Sequence, residues 1–287
     1  MPLDELRALL NRHVRPDQYT GIEGVRLSRF EISLPPTPTT SGTMLVLVAQ
    51  GTKRLMLGER TYEYRAGQYL VASLDLPITT SFDADPQEPS LCVGLALEPA
   101  AIADLLLAEP ETAPRDPGGA RPALAVGDAS PELIDAVVRL LHLLDHPRDQ
   151  ATLAPLIKRE ILWRLITGDQ GELVRQLGLA GSSLTHISQA ARWVREHYAE
   201  PFRVEDLARL ANMSTSSFHR NFRAVTAMTP IQFQKQIRLQ QARLMLATHA
   251  DDVTGVALRV GYESPSQFSR EYRRLFGTPP SQDTVAP

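Results

Sequence analysis

A chain of 287 residues, 43% of them hydrophobic, can bury two cores, and a formal net charge of -3 does not by itself mark a polyanion binder. No apolar run approaches the roughly 18 residues needed to span a bilayer, and the single cysteine, Cys92, excludes an internal disulfide and any multi-cysteine metal site. These features lead us to expect a soluble, cytoplasmic protein with no membrane partner.

The N-terminal stretch "MPLDELRALLNRH" mixes acid, base and leucine at helical spacing, unlike a signal peptide. Between about Thr20 and Glu98, short apolar runs alternate with Gly, Pro and Asp: "MLVLVAQG", "KRLMLGE", "TYEYRAG", "QYLVAS" and "SLCVGLALE". Runs this short, rich in Val, Tyr and Leu, predict the strands of a small barrel or sandwich. Cys92 lies in one of them and reads as core packing. A proline- and glycine-rich loop is expected over Glu109–Asp128. The period then becomes helical. Ser130 is a plausible N-cap with Pro131 at the first position, opening a helix to about Asp145, and a second runs over about Leu153–Thr167. His142 and His146 stand four apart on the first of these, but no nearby acidic pattern completes a metal site. "GELVRQLGLAGSS" leads into a third helix, about Leu184 to His197, and everything beyond reads as helical.

That last part contains an internal repeat. "LARLANMSTSSFHRNF" (Leu207 to Phe222) and "VALRVGYESPSQFSREY" (Val256 to Tyr272) each open on an apolar–Ala pair and turn at a residue tolerant of positive φ, Asn212 or Gly261. Each then enters a helix pinned by aromatics four apart, Phe218 with Phe222 and Phe268 with Tyr272, with an arginine two after the first aromatic, Arg220 or Arg270. A small residue that lets a second helix cross closely over a first is the helix-turn-helix arrangement. Two copies about fifty residues apart are far more specific than one. Between them, "TPIQFQKQIRLQQARLMLAT" predicts one helix with Thr229 as N-cap, its apolar residues Ile231, Phe233, Ile237, Leu239, Ala242, Leu244 and Leu246 mostly packing. Such a strut, about 27 Å long, suits two recognition helices addressing major-groove faces about 34 Å apart. Charge follows the same division: from Thr185 onward 13 Lys and Arg face 9 Asp and Glu, a net +4, while the preceding part carries -7.

On "RVEDLARLANMSTSSFHRNFRAVTAMTPIQFQKQIRLQQARLML" and "ALRVGYESPSQFSREYRRLFGTPP", the chain resembles the AraC/XylS transcriptional regulators over about Ile187 to Pro280. "LVLVAQGTKRLMLGERTYEYRAGQYLVASLDLP" is similar, less diagnostically, to the cupin-type sensor domain of one branch. Asn212 departs from the glycine common at that turn, but asparagine accepts the same backbone. The resemblance implies an α+β protein. A cupin-like β-barrel with a helical hairpin, about residues 1–178, serves effector binding and dimerisation. An all-α domain of two helix-turn-helix units joined by a linker helix, about 184–282, binds promoter DNA. The function implied is an effector-responsive regulator, tilted toward activation. Expected partners are promoter DNA, a small-molecule effector and a second copy of the chain, with RNA polymerase a further candidate and no cofactor.

The helix faces select the contacts. With the aromatics inward, Ser216, His219 and Arg220 in the first copy and Ser266, Gln267 and Arg270 in the second are candidates for base edges; arginine suits guanine and glutamine suits adenine. Arg223, Arg273 and Arg274 lie further along and suit phosphates. In the barrel, Val46, Val48, Tyr62, Tyr64 and Tyr69 would line an interior suited to a small, partly apolar organic molecule, with Gln50, Lys53 and Asp75 placed to orient it. The alternative, that the tyrosines and valines simply fill the barrel, carries equal weight. A cupin-type enzyme fused to a DNA-binding tail is the competing function. Metal-dependent cupins carry histidines on their strands, and no histidine lies between Tyr19 and Glu98.

Overall fold

The computed structural model describes residues 2–108, 120–179, 182–248 and 252–283, excepting the side chains of residues 34, 35 and 248. The chain divides into two compact units, Met1–Thr185 and His186–Pro287.

The first unit opens with α1 (Pro2–His13), followed by eight strands: β1 (Val25–Phe30), β2 (Leu34–Thr40), β3 (Met44–Gln50), β4 (Thr52–Leu57), β5 (Arg60–Arg65), β6 (Gln68–Ala72), β7 (Pro77–Asp83) and β8 (Ser90–Ala96). After α2 (Pro99–Ala108), a ninth strand, β9 (Leu124–Asp128), pairs with β6. The strands form two antiparallel sheets, ordered β1-β8-β3-β6-β9 and β2-β7-β4-β5. Alternation along β3 sends Met44 and Val46 into the space between the sheets, while Leu45, Leu47 and Ala49 are buried on the opposite side, where α1 packs. The expected loop over Glu109–Asp128 therefore needs correction at its end: residues 124–128 are a strand, and residues 109–119 lie outside the described residues.

The helical part of this unit is α3 (Pro131–His142), α4 (Pro147–Thr167) and α5 (Gly171–Gly178). Ser130 caps α3 as its sequence predicts, accepting from Leu133 N at 3.2 Å with Pro131 in the first turn. The second helix of the hairpin starts at Pro147, six residues earlier than its apolar period suggests. α3 packs between α1 and α4, and α5 packs on α2 and α4. The segment expected as a lead-in is thus partly the helix α5. His142 pairs with Glu5 on α1 at 2.7 Å.

The second unit is all helical: α6 (Ser183–Glu196), α7 (Val204–Leu210), α8 (Thr215–Thr226), α9 (Pro230–Thr248), α10 (Val253–Arg259) and α11 (Pro265–Phe276). Thr229 caps α9 in a reciprocal box, donating its N–H to Gln232 Oε1 at 2.9 Å and accepting from Gln232 N at 3.3 Å. Phe233 of α9 meets Phe222 edge-on at 5.5 Å, while Leu239, Ala242 and Leu246 join the core of α10 and α11. One helix therefore belongs to both small cores. Two of its apolar residues depart from expectation, since Ile231 and Leu244 are 53% and 64% exposed.

Candidate nucleic-acid interface and sensor cavity

The two sequence copies fold into the same motif, hydrogen bond for hydrogen bond. α7 turns into α8 at Asn212 (φ 51°), and α10 turns into α11 at Gly261 (φ 89°). Met213 N donates to Ala208 O at 2.9 Å in the first turn, and Tyr262 N to Ala257 O at 2.9 Å in the second. Asn212 N and Gly261 N donate to Arg209 O and Leu258 O, both at 3.0 Å. The small residue of each first helix, Ala208 or Ala257, is buried under the crossing. Each second helix carries a serine cap, Ser214 accepting from Ser217 N and Ser264 from Gln267 N, both at 3.3 Å. Each also ends in a left-handed residue, Ala227 or Gly277.

Phe218, Phe222, Phe268 and Tyr272 have no exposed surface, and the paired ring centroids stand 5.4 and 5.5 Å apart. Locking these aromatics inward turns the opposite face of each helix to solvent. On α8 that face exposes Ser216, His219, Arg220 and Arg223; on α11 it exposes Ser266, Arg270, Arg273 and Arg274. Arg220 reaches Ser217 Oγ at 3.5 Å, and none of the five arginines forms an ion pair with a described residue. Such arginines are available to polyanions. Gln267 is placed differently. It is half-buried and donates Nε2 to Glu271 Oε1 at 3.0 Å, so reaching a base means leaving that bond.

The residues that hold the interface in shape were not evident in the sequence. Glu271 accepts from Lys235 Nζ at 2.6 Å and Tyr262 OH at 2.7 Å besides Gln267. Arg238, midway along α9, donates to Tyr198 O at 2.6 Å, Gly261 O at 2.7 Å and Ala199 O at 3.2 Å, tying the chain after α6 to the second turn. Burial lowers the Arg238 pKa, while Tyr262, Glu263 and Glu271 act to raise it. Nothing in local spacing separates Arg238 from other helical arginines; its partners lie up to forty residues before it and 23 after it.

In the first unit a cavity of about 360 Å³ lies between the sheets, with lining from β1 through β8. Val46, Leu55, Leu70, Ile78 and Phe82 supply apolar wall, and Gly94 leaves room for the Met44 side chain, whose Cε would stand 2.9 Å from an added Cβ. Lys53 and Tyr64 line it from cross-strand positions on β4 and β5. Lys53 is half-buried by surface, but that surface faces the cavity. Burial lowers its pKa, with Cys92 acting to raise it. Cys92 borders the same space, and its thiol is pushed up by burial while Lys53 pulls the other way. Of the residues expected to line the interior, Val46 and Tyr64 do so and Val48, Tyr62 and Tyr69 do not; of those expected to orient an effector, Lys53 is in the lining, and Gln50 and Asp75 are outside it. Alternation explains Tyr69: its neighbour Leu70 faces the cavity, so its own ring turns to the other side of the sheet, over Gly127. Gln50 donates Nε2 to Pro89 O at 3.0 Å. Tyr62 and Asp75 are half-buried.

Residues 21–173 match the family model of the AraC-type transcriptional regulator N-terminus, and residues 207–284 match a helix-turn-helix domain. Among curated relatives, the HTH-type transcriptional activator RhaS of Salmonella paratyphi A is 28% identical over 52% of this chain and 53% of its own. The HTH-type transcriptional regulator ExsA of Pseudomonas aeruginosa is 27% identical over 56% of this chain and 57% of its own. The chain thus spans about half the length of the curated relatives it matches. Two ToxT structures from Vibrio cholerae, an apo variant and the wild type bound to unsaturated fatty acid, superpose with TM-scores of 0.53 and 0.54 at 10% and 11% identity. They cover 92% and 90% of this chain, and 98% and 93% of theirs, a likeness of fold alone. Since the first family match alone takes in more than half of the residues, and the second falls on the repeated motif, the chain belongs to the AraC-type transcriptional regulators.

Proposed function

We propose that this chain is a sequence-specific DNA-binding transcriptional regulator, reading two neighbouring major-groove segments and responding to a small molecule held between its sheets. The observation that carries the reading is the duplicated motif: two turns with the same hydrogen bonds, each presenting an exposed arginine-bearing face. Arg220 and Arg270, with Ser216, His219, Ser266 and a released Gln267, contact base edges; Arg223, Arg273 and Arg274 contact phosphates. The 19 residues of α9 span about 28 Å, which suits two grooves on one side of a duplex. The name of the relative RhaS, an HTH-type transcriptional activator, supports activation as the direction of control; RNA polymerase is the partner we propose for that role. Leu153 and Leu156, 40% and 62% exposed on α4, support pairing with a second copy.

Binding of the full chain to duplexes selected from a random pool tests the reading. Affinity should fall steeply as salt rises, because phosphate contacts release counterions. A selected duplex should outcompete random duplex by about 10³-fold or more. Equal affinity for all sequences would overturn specific recognition.

A further inference from the structure

We infer that the cavity between the sheets takes a small organic anion, a carboxylate on a largely apolar body, held through its oxygens by the Lys53 ammonium and the Tyr64 hydroxyl. The inference deepens the sensor reading above and rests on it.

Three features of the cavity converge on this ligand. Among the described residues its lining holds two cations, Arg26 and Lys53, and neither aspartate nor glutamate. Arg26 is exposed, its guanidinium 5.0 Å from the Tyr19 ring centroid; Lys53 sits deeper. Lys53 also lacks a counter-ion: Nζ stands 4.9 Å from the Phe82 ring centroid and makes no hydrogen bond or ion pair with a described residue. Finally, Tyr64 lies directly across the β4–β5 ladder from Lys53, and its buried hydroxyl has no hydrogen-bond partner among the described residues. Directly opposed side chains in such a ladder start only about 4.5–5.5 Å apart at Cβ.

An uncompensated ammonium and an unsatisfied buried phenol are each unfavourable alone. One carboxylate satisfies both, because it accepts from N–H and O–H at once. A cation would be repelled by Lys53 and Arg26. A neutral polyol would leave the ammonium unpaired and bring hydroxyls against Val46, Leu55 and Leu70. The volume, about 360 Å³, lies at the small end of the roughly 300–1,000 Å³ range of ligand sites.

Protonation gives an independent signature. Burial lowers the Lys53 pKa in the empty cavity, so an anion that needs the ammonium takes up a proton wherever the free amine is partly neutral. Among the described residues, the other titratable groups lining the cavity with Lys53 are Arg26, Tyr64 and Cys92. Burial raises both Tyr64 and Cys92, the direction opposite to that of Lys53.

The test uses calorimetric titration of the full chain with hexanoate, octanoate, benzoate and phenylacetate, each beside its primary amide. At least one acid should bind about tenfold or more tightly than its amide, with proton uptake that grows as pH rises. Lys53→Met should erase the acid–amide difference. Tyr64→Phe should weaken the acid about threefold or more and leave the melting temperature of the empty protein unchanged or higher, since it removes an unsatisfied hydroxyl. Failure of every acid to bind, amides that bind as well as acids, or an acid preference that survives Lys53→Met would overturn the inference. Duplex occupancy separates it from the broader reading. An amide that binds and shifts occupancy removes the anion while sparing the sensor. An acid that binds through Lys53 without shifting occupancy keeps the anion site and removes the sensor.

Discussion

The carbonyl of Gly261 accepts from Arg238 while the residue itself sits at φ 89°, and an added Cβ there would overlap Ala199 O. Gly277 has nearly the same backbone, φ 80°, but nothing within 4 Å of the position a Cβ would take. Gly261→Ala should therefore cost about 2–4 kcal/mol, combining left-handed strain with steric overlap, and Gly277→Ala only about 1 kcal/mol. Chemical denaturation of the two variants checks this; equal losses would show that the close approach to Ala199 is absent. Glu271 yields a second prediction. Burial pushes its carboxyl up, but hydrogen bonds from Lys235, Gln267 and Tyr262 prevail and hold it below the usual range. Because its folded pKa is depressed, the stabilisation is complete above the unfolded value, about 4.3, and is lost as pH falls through the folded one. Glu271→Gln should flatten the acid limb of a stability–pH profile below about pH 4.3 and leave the slope at neutral pH unchanged; an unchanged acid limb would contradict the account. Gly261 could be recognised from sequence because a turn needs positive φ. Arg238 and Glu271 could not, because their importance comes from carbonyls and side chains brought to them by folding.

Among the elements, α8 and α11, which present the exposed arginine faces, are the most legible. Their aromatic spacing, caps and turns are local, and the repeat allows each copy to support the other. Arg270→Ala should cost about 1–3 kcal/mol of binding to a selected duplex and relax preference at one base position. Arg220→Ala should do the same about one helical turn away along the duplex. Competition assays with single-base duplex variants measure both; losses equal on every sequence would reassign these arginines to phosphates. The elements that escaped the sequence reading have specific causes. β2, "LPPTPTT", carries three prolines, which a strand tolerates at a sheet edge, and β2 is an edge strand. β9 follows a loop-like stretch and is defined by non-local pairing of Gln68–Ala72 with Leu124–Asp128. α2, "PAAIADLLLA", is apolar nearly all round, so no amphipathic period marks it. In the cavity, Lys53 is part of the lining, but the inward face of each strand can be assigned only once β3, β6 and β8 are in register.

For the whole molecule, the charge division assigns the units different work. The segment from Thr185 onward is net +4 and carries the arginine faces; the acidic remainder, net -7, holds the cavity. An effector can alter DNA occupancy only by binding differently to two states of the chain, and coupling of about 1–3 kcal/mol is typical. On the proposed function, one chain reads two groove segments through one duplicated motif. Hydroxyl-radical footprinting of the full chain on its selected duplex tests this most directly. Each bound chain should protect two patches on one face of the duplex, centred about 10 base pairs apart, with Arg220→Ala and Arg270→Ala each weakening a different patch. A single protected patch per chain, or weakening of the same patch by both substitutions, would contradict it.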